Sequence, residues 1–293
     1  MISLNDTGLR VAHGDADEAL ARLARVELVI SDCDGTLLHT DKSLSTPAQE
    51  AVRALTAAGV RFTVASSRPG AGMRAIVQPL QIHEPFAAYN GGMVLSPGDW
   101  KVLGTHVMPR DAVQTALQSL ARDGMDAWVF IGDNWYITRP DGHYVPLERR
   151  TVGYDGVPVK SFDDIDLDSV QKIVGSTTDA AALERLEAEF RETLKDRAIA
   201  LRSQSYYIDV TPVLANKGEA LRQLSALTGV APERIAVLGD MSNDVAMFDV
   251  AGVSIVMGQA SADVQSHATL VSASNDDEGF ALGLHAIVKA RKG

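Results

Sequence analysis

Val26-Glu27-Leu28-Val29-Ile30-Ser31-Asp32-Cys33-Asp34-Gly35-Thr36-Leu37 is the stretch on which the fold turns. An apolar run of strand type ends in two carboxylates, Asp32 and Asp34, set one residue apart. Side chains alternate along an extended chain, so both carboxylates can share one side while Cys33 points away. Gly35 then lets the backbone turn sharply. Two like charges in one pocket repel, and a divalent cation is the usual remedy. The stretch therefore predicts a buried strand surfacing into a Mg²⁺ site with a nucleophilic or acid–base carboxylate pair. A strand ending in a solvated acidic turn would look the same in isolation, and the rest of the chain decides between the two.

The length of 293 residues leaves room for one large domain or two ordinary ones. With 46% hydrophobic and 22% charged residues, the mixture is that of a globular chain with a substantial core. A net charge of −11, with no Lys/Arg-rich run, argues against nucleic acid and against an anionic membrane surface as partners. It does not exclude a phosphorylated substrate, because a bound metal and one or two cations invert the field locally. The single cysteine, Cys33, excludes an intramolecular disulfide and a thiolate metal cluster, and it suits a reducing cytoplasm. No apolar run has the length of a membrane span, and the first fifteen residues lack the apolar centre of a secretory signal. A soluble, cytoplasmic protein is expected.

Residues 1–14 are polar and aperiodic and are expected to be mobile. Asp15 as N-cap, with Ala16, Ala19, Leu20, Leu23 and Ala24 at helical spacing, predicts a short amphipathic helix packed on its own domain. After the acidic turn, Thr46-Pro47-Ala48-Gln49 reads as N-cap, proline at the first helical position and capping-box glutamine. That helix runs to Ala58 and stops at Gly59. Positions 60–65 and 86–89 read as further buried strands. Near-continuous apolar strands alternating with helices imply a parallel sheet covered on both faces.

From about Met93 to Gln204 the texture changes. Apolar–polar alternation over 126–138, around Gly132-Asp133-Asn134, and helical patterns at 110–122 and 179–194 predict an α+β insert. Alternation of helix and strand then resumes at 218–228, 234–238, 243–250 and 254–257, with a short strand at 268–271 before a terminal helix. The expected fold is α/β: a doubly wound, Rossmann-like parallel-sheet core over 26–92 and 205–293, with a cap domain inserted over 93–204. Residues 1–25 are an N-terminal extension. Open α/β sheets bind ligands at the carboxyl ends of their strands, where such an insert would serve as a lid.

Three further clusters carry chemistry. Ser66-Ser67-Arg68 follows the second strand, where a hydroxyl, backbone N–H groups and a guanidinium can hold a phosphoryl oxygen, although such a tripeptide is also an ordinary turn. Lys217, in Asn216-Lys217-Gly218, opens a helix, the end at which the helix dipole disfavours a cation. That position asks for a partner anion, either the Asp32 carboxylate or bound phosphate, unless the lysine is simply solvated. Gly239-Asp240-Met241-Ser242-Asn243-Asp244 offers three hard-oxygen side chains within one strand-to-helix turn, which suits Mg²⁺. Asp244 is also a natural acid for a helix N-terminus.

In this order the four motifs resemble those of the haloacid dehalogenase-like phosphatases, and an α/β insert between the second and third is similar to the Cof-type branch. Asn90-Gly91-Gly92 is similar to the Asn-Gly element that precedes the cap there. The resemblance covers nearly everything after residue 26. It implies that Asp32 is the nucleophile, forming an aspartyl-phosphate, and that Asp34 is the general acid and then base. It implies that Mg²⁺ is held by Asp32, Asp240, the Asp34 carbonyl and the Asn243/Asp244 turn. Ser66, Ser67, Arg68, Asn90, Gly91, Lys217 and Asn243 are the implied phosphate-binding set. Two departures stand out. Ser67 occupies the place of the usual glycine of Thr-Gly-Arg, and residues 1–25 precede the usual start of the core.

The expected function is hydrolysis of a small phosphorylated metabolite of the sugar-phosphate kind. A phosphomutase of the same superfamily, or a phosphoaspartate-bearing or phosphate-binding regulatory protein, would use many of the same residues. A receiver-type signalling domain needs neither a lid nor an acid two residues after its acceptor. Gly70-Ala71-Gly72 imitates a dinucleotide fingerprint but lacks the acid at the required distance. His39 is placed on a surface loop, and Trp128, Trp135 and Tyr136 are expected in the insert's own core. Arg139, Arg149 and Arg150 are candidates for a second anionic group. A second copy of the chain is the one macromolecular partner for which the reading leaves room.

Overall fold

The computed structural model describes residues 4–12 and 14–292. It divides the chain into two units. The first draws on the chain up to Ser67, on Arg74–Leu103 and on the chain from Asn216; the second comprises Arg68–Met73 and Gly104–Ala215.

The first unit is built on a six-stranded sheet in the order Arg10–Val11, Leu270–Val271, Val253–Val256, Ile235–Gly239, Leu28–Ser31, Arg61–Val64. Every pair is parallel except the first. Leu28, Val29, Ile30 and Ser31 are all buried, as strands covered on both faces require. Leu28 and Ile30 face the helices Lys217–Thr228 and Ser242–Phe248 through Ala220, Leu221, Leu224, Met247 and Phe248. On the other face the terminal helix Gly279–Ala290 packs against the helix Thr46–Ala57 and brings Phe280 edge-on to Phe62, 5.9 Å between ring centres. The chain leaves Leu28–Ser31 to one side for Arg61–Val64 and later returns on its other side as Ile235–Gly239. That reversal of winding opens a crevice at the strands' carboxyl ends.

Three expectations are corrected locally. The segment 1–14 is not uniformly aperiodic among the described residues: Arg10–Val11 pairs antiparallel with Leu270–Val271, Leu4 and Leu9 are buried, and the Lys289 ammonium donates to the Asp6 carbonyl at 2.7 Å. For residues 1–3 and 13 the expectation lies outside the described residues. The helix at Ala16–Ala24 is capped by Asp15 and packs on the terminal helix, with Ala19 and Leu23 buried. The helix Thr46–Ala57 is capped by the Ser45 hydroxyl rather than by Thr46, which is already helical. Lastly, Met93–Leu95 pairs back on Phe86–Ala88 and stays with the first unit, whereas Tyr207–Thr211 is bonded into the second unit's sheet. The insert's limits by packing thus differ from 93 and 204, because backbone groups stay where their ladder partners are.

The second unit is α+β. Its sheet runs Ile199–Gln204, Tyr207–Thr211, Lys172–Ser176, Asp126–Ile131, Asn134–Ile137, Val157–Pro158, antiparallel up to the last, parallel pair. The helices Arg110–Arg122 and Ala180–Thr193 cover one face through Val113, Leu120, Leu183 and Phe190. Trp128 and Trp135 are fully buried on the other, rings 5.5 Å apart, while Tyr136 packs with the helical face. Arg139 and Arg149 are paired with Asp126 and Asp155 within this unit. No helix among the described residues is long and apolar enough to cross a membrane.

Candidate active site

Asp32, Ser66 and Asp240 each follow the carboxyl end of a strand, and those three strands are neighbours. The backbone continues the ladder one step beyond the strand: the Asp32 N–H donates to the Leu238 carbonyl at 2.9 Å. This fixes the first and fourth motifs side by side. Lys217, at the start of its helix, is 1% exposed and reaches between them. Its ammonium lies 2.5 Å from Asp32 Oδ1 and 2.5 Å from Asp244 Oδ1. The sequence asked for an anion opposite Lys217, and two are present. The other Asp244 oxygen accepts from the backbone N–H groups of Asp240 and Met241, each at 2.9 Å. Asp244 is therefore committed to holding the lysine and the turn.

Asp32, Asp240 and Asp244 are buried, and each places a carboxylate oxygen within 4.8 Å of the others. Three acids in so small a space have one ammonium between them at bonding distance. Burial, opposed by Lys217 and reinforced by Asp244, pushes the Asp32 carboxyl up to about 7. Burial and then Asp244 push Asp240 up to about 6, against a hydrogen bond from Thr36. Burial alone would lower Lys217, but Asp244 and Asp32 more than reverse that and hold it above the ordinary ammonium range. The cluster is thus short of positive charge, and its donors are hard oxygens. That set fits Mg²⁺.

Gly35 is the one residue that fits the turn between the two leading acids and Thr36. Its φ is +84°, and a Cβ there would lie 2.5 Å from Asp240 Oδ2. Thr36 donates its hydroxyl to Asp240 Oδ1 at 3.0 Å. Asp34 is half-buried, with Lys42 Nζ 2.9 Å from its Oδ1. Ser66 is buried and its backbone ties to both neighbours, donating to Ala87 and accepting from the Asn90 N–H at 2.8 Å. Asn90, in a left-handed conformation, accepts from the exposed Asn243 amide at 3.2 Å. Gly91, at φ +97°, is buried against the start of the lysine helix, where a Cβ would lie 2.9 Å from that of Ala220.

Asp32, Asp240, Asp244 and Lys217 form one cluster, and Ser66, Asn90 and Asn243 form a hydrogen-bonded chain. Ser67 is exposed, and Arg68 falls in the second unit. His39 lies 3.2 Å from Glu278. The sequence reading assigned no role to Thr36, Lys42 or Gln259, whose contacts with the site are across the chain or across a loop.

A sequence model of the haloacid dehalogenase-like hydrolase family matches residues 29–284. The HMP-PP phosphatase of Escherichia coli O8 is 28% identical over 243 residues, covering 82% of this chain and 85% of its own. The 5-amino-6-(5-phospho-D-ribitylamino)uracil phosphatase YwtE of Bacillus subtilis is 24% identical over 280 residues, 87% of this chain and 96% of its own. A crystal structure of a haloacid dehalogenase-like hydrolase from Bacteroides thetaiotaomicron superimposes with a TM-score of 0.83 at 25% identity, covering 89% of this chain and 99% of that one. With the match extending over both outer motifs and everything between them, the chain belongs to the haloacid dehalogenase-like hydrolases, in their Cof-type branch.

Proposed function

We propose that this phosphatase hydrolyses a small phosphorylated metabolite, of the sugar-phosphate kind, through an aspartyl-phosphate on Asp32 and with Mg²⁺. The observation that carries the reading is the buried Asp32–Lys217–Asp244 cluster beside Asp240 at the mouth of the parallel sheet. One Asp32 oxygen is pinned by the lysine, which orients the carboxylate for attack. The Asp32 oxygen bonds to phosphorus as the bond to the leaving oxygen breaks, and Asp34 supplies the proton that oxygen needs. Asp34, now a carboxylate, takes a proton from the water that attacks the same phosphorus. Phosphate leaves and Asp32 is restored. Lys217 and the Ser66 hydroxyl answer the charge on the phosphoryl oxygens, which is the main demand of phosphoryl transfer.

Asp32 and Asp240, with the Asp34 carbonyl, would hold the metal, and Asn243 and Asp244 would shape the turn behind it. When bound, Mg²⁺ supplies charge neutralisation for the phosphoryl oxygens. The motifs of the first unit address the phosphoryl group that all candidate substrates share. A relative named for a phosphoribityl compound supports a polyol or sugar phosphate. The test is phosphate release from a panel of phosphorylated metabolites, with Mg²⁺ or EDTA, for wild type and Asp32→Asn in parallel. Turnover that requires both metal and Asp32 is expected. Metal-independent turnover, or turnover by Asp32→Asn, would overturn the reading.

A further inference from the structure

Gln259 follows the strand Val253–Val256 and precedes the helix Ala262–Ser266, and it belongs to none of the four motifs. Its side chain nevertheless reaches the first and fourth of them together. Its Nε2 donates to the Gly35 carbonyl at 2.6 Å and lies 3.4 Å from Asp240 Oδ2. The orientation of the amide is not arbitrary. The Oε1 accepts from the backbone N–H of Asn275 at 3.0 Å, and a backbone N–H can only donate. The NH₂ end must therefore face Gly35 and Asp240.

Asn275 adds a second fastening. It is 4% exposed, and its own Nδ2 donates to the Leu38 carbonyl at 3.1 Å. The segment from Gln259 to Asn275 thus grips both ends of the turn Gly35–Thr36–Leu37–Leu38. Inside that turn Gly35 packs on one Asp240 oxygen while Thr36 bonds to the other. The Asp240 carboxylate is enclosed on one side by the turn, and the turn is locked by Gln259.

We propose that Gln259, itself oriented by Asn275, is a positioning residue that presets the Asp240 carboxylate for the divalent cation. The inference rests on the reading of Asp240 as a metal-holding residue. A carboxylate must give up side-chain freedom when it takes a small octahedral ion such as Mg²⁺, which tolerates little angular error. Outer partners that fix the ligand beforehand remove that cost from binding, and losing one typically weakens metal affinity about 10–100-fold. Gln259 suits the task chemically, since an amide donates to both a carbonyl and a carboxylate without adding a charge that would compete with the ion.

The experiment is calorimetric titration of Mg²⁺ into the metal-free full chain, for wild type, Gln259→Met, Thr36→Val and the double variant. Gln259 is exposed and Met keeps its length, so folding is checked simply by thermal melting in EDTA. Gln259→Met is expected to weaken Mg²⁺ by about 10–100-fold while the chain still melts as a folded protein in EDTA, a few degrees below wild type at most for the two backbone partners it frees. Because Thr36 and Gln259 act on one carboxylate, the double variant is expected to lose less than the product of the two single losses. A Mg²⁺ affinity for Gln259→Met within about twofold of wild type would overturn the inference, as would losses that multiply. Failure of the wild type itself to bind Mg²⁺ would overturn the metal reading first, and the positioning role with it.

Discussion

A buried ammonium between two carboxylates holds only as a set, because each member is compensated by the others. Lys217 is the centre of that set, at 1% exposure, with Asp244 at 0% and Asp32 at 6%. Lys217→Met removes the cation and leaves three acids facing one another. It is expected to cost about 3–5 kcal/mol of stability together with turnover, read by urea unfolding and phosphate release. A folded Lys217→Met of wild-type stability would show that the lysine does not hold the cluster together. Asp32→Asn and Asp240→Asn separate two roles that burial alone does not distinguish. A nucleophile cannot be replaced by more metal, so Asp32→Asn stays inactive at any Mg²⁺ concentration. A metal ligand can be replaced in part by mass action, so Asp240→Asn regains turnover as Mg²⁺ is raised. Identical Mg²⁺ responses of the two variants would refute this division of labour.

The turn from Asp32 to Leu38 is the element on which the site depends, and it is over-determined from three directions. The strand ladder runs into it, Thr36 bonds to Asp240, and Asn275 holds its far end. Gly35→Ala places a methyl group where Asp240 Oδ2 stands and asks a non-glycine residue to keep φ at +84°. The expected result is a stability loss of about 1–3 kcal/mol and a fall in kcat on the order of 100-fold, since displacements near 1 Å at a reacting centre cost that much. Wild-type kcat in Gly35→Ala would mean the close approach to Asp240 is irrelevant. The helix cap offers the contrast. Ser45→Ala removes the acceptor for the Ala48 N–H and should cost about 1 kcal/mol without touching kcat, by urea titration and steady-state assay. The same turn shows what a sequence reveals. Leu28–Ser31 was legible because a strand buried on both faces is a nearly unbroken apolar run, and its acids are read by adjacency. Arg10–Val11 was not, because two residues carry no period. Ser45 and Thr46 are both hydroxyl residues, and only backbone geometry distinguishes cap from first helical residue. Gln259 and Asn275 meet the turn across more than two hundred positions, where no local pattern reports them.

At the scale of the whole molecule, the two units differ in what their buried acids face. In the first, Asp32 and Asp244 share a lysine, with Asp240 beside them. In the second, Glu148, on the helix Val145–Val152, is 7% exposed and within electrostatic reach of the Lys172–Asp209 pair, which is 2.7 Å apart. Burial, opposed by Lys172 and reinforced by Asp209, lifts its carboxyl from the ordinary 4.5 to about 7. Between those two values the folded chain holds a proton that the unfolded chain releases. The slope of unfolding free energy against pH follows protons bound unfolded minus folded, and that difference is negative here. Glu148 thus contributes stability that is fully present below about pH 4.5 and is lost as pH rises through about 7, a decline on the order of 3 kcal/mol. The tryptophans make it measurable. Trp128 and Trp135 lie in the second unit and Trp100 in the first, so tryptophan emission in urea reports chiefly on the unit that contains Glu148. Wild type should lose stability from about pH 5 to about pH 8, while Glu148→Gln, uncharged at both, should lose much less and be the more stable protein at the higher pH. Asp32 and Asp240, also raised, bend both proteins' curves equally and drop out of the comparison. Parallel curves for wild type and Glu148→Gln would show that Glu148 is ionised in the folded protein, its charge carried by Lys172.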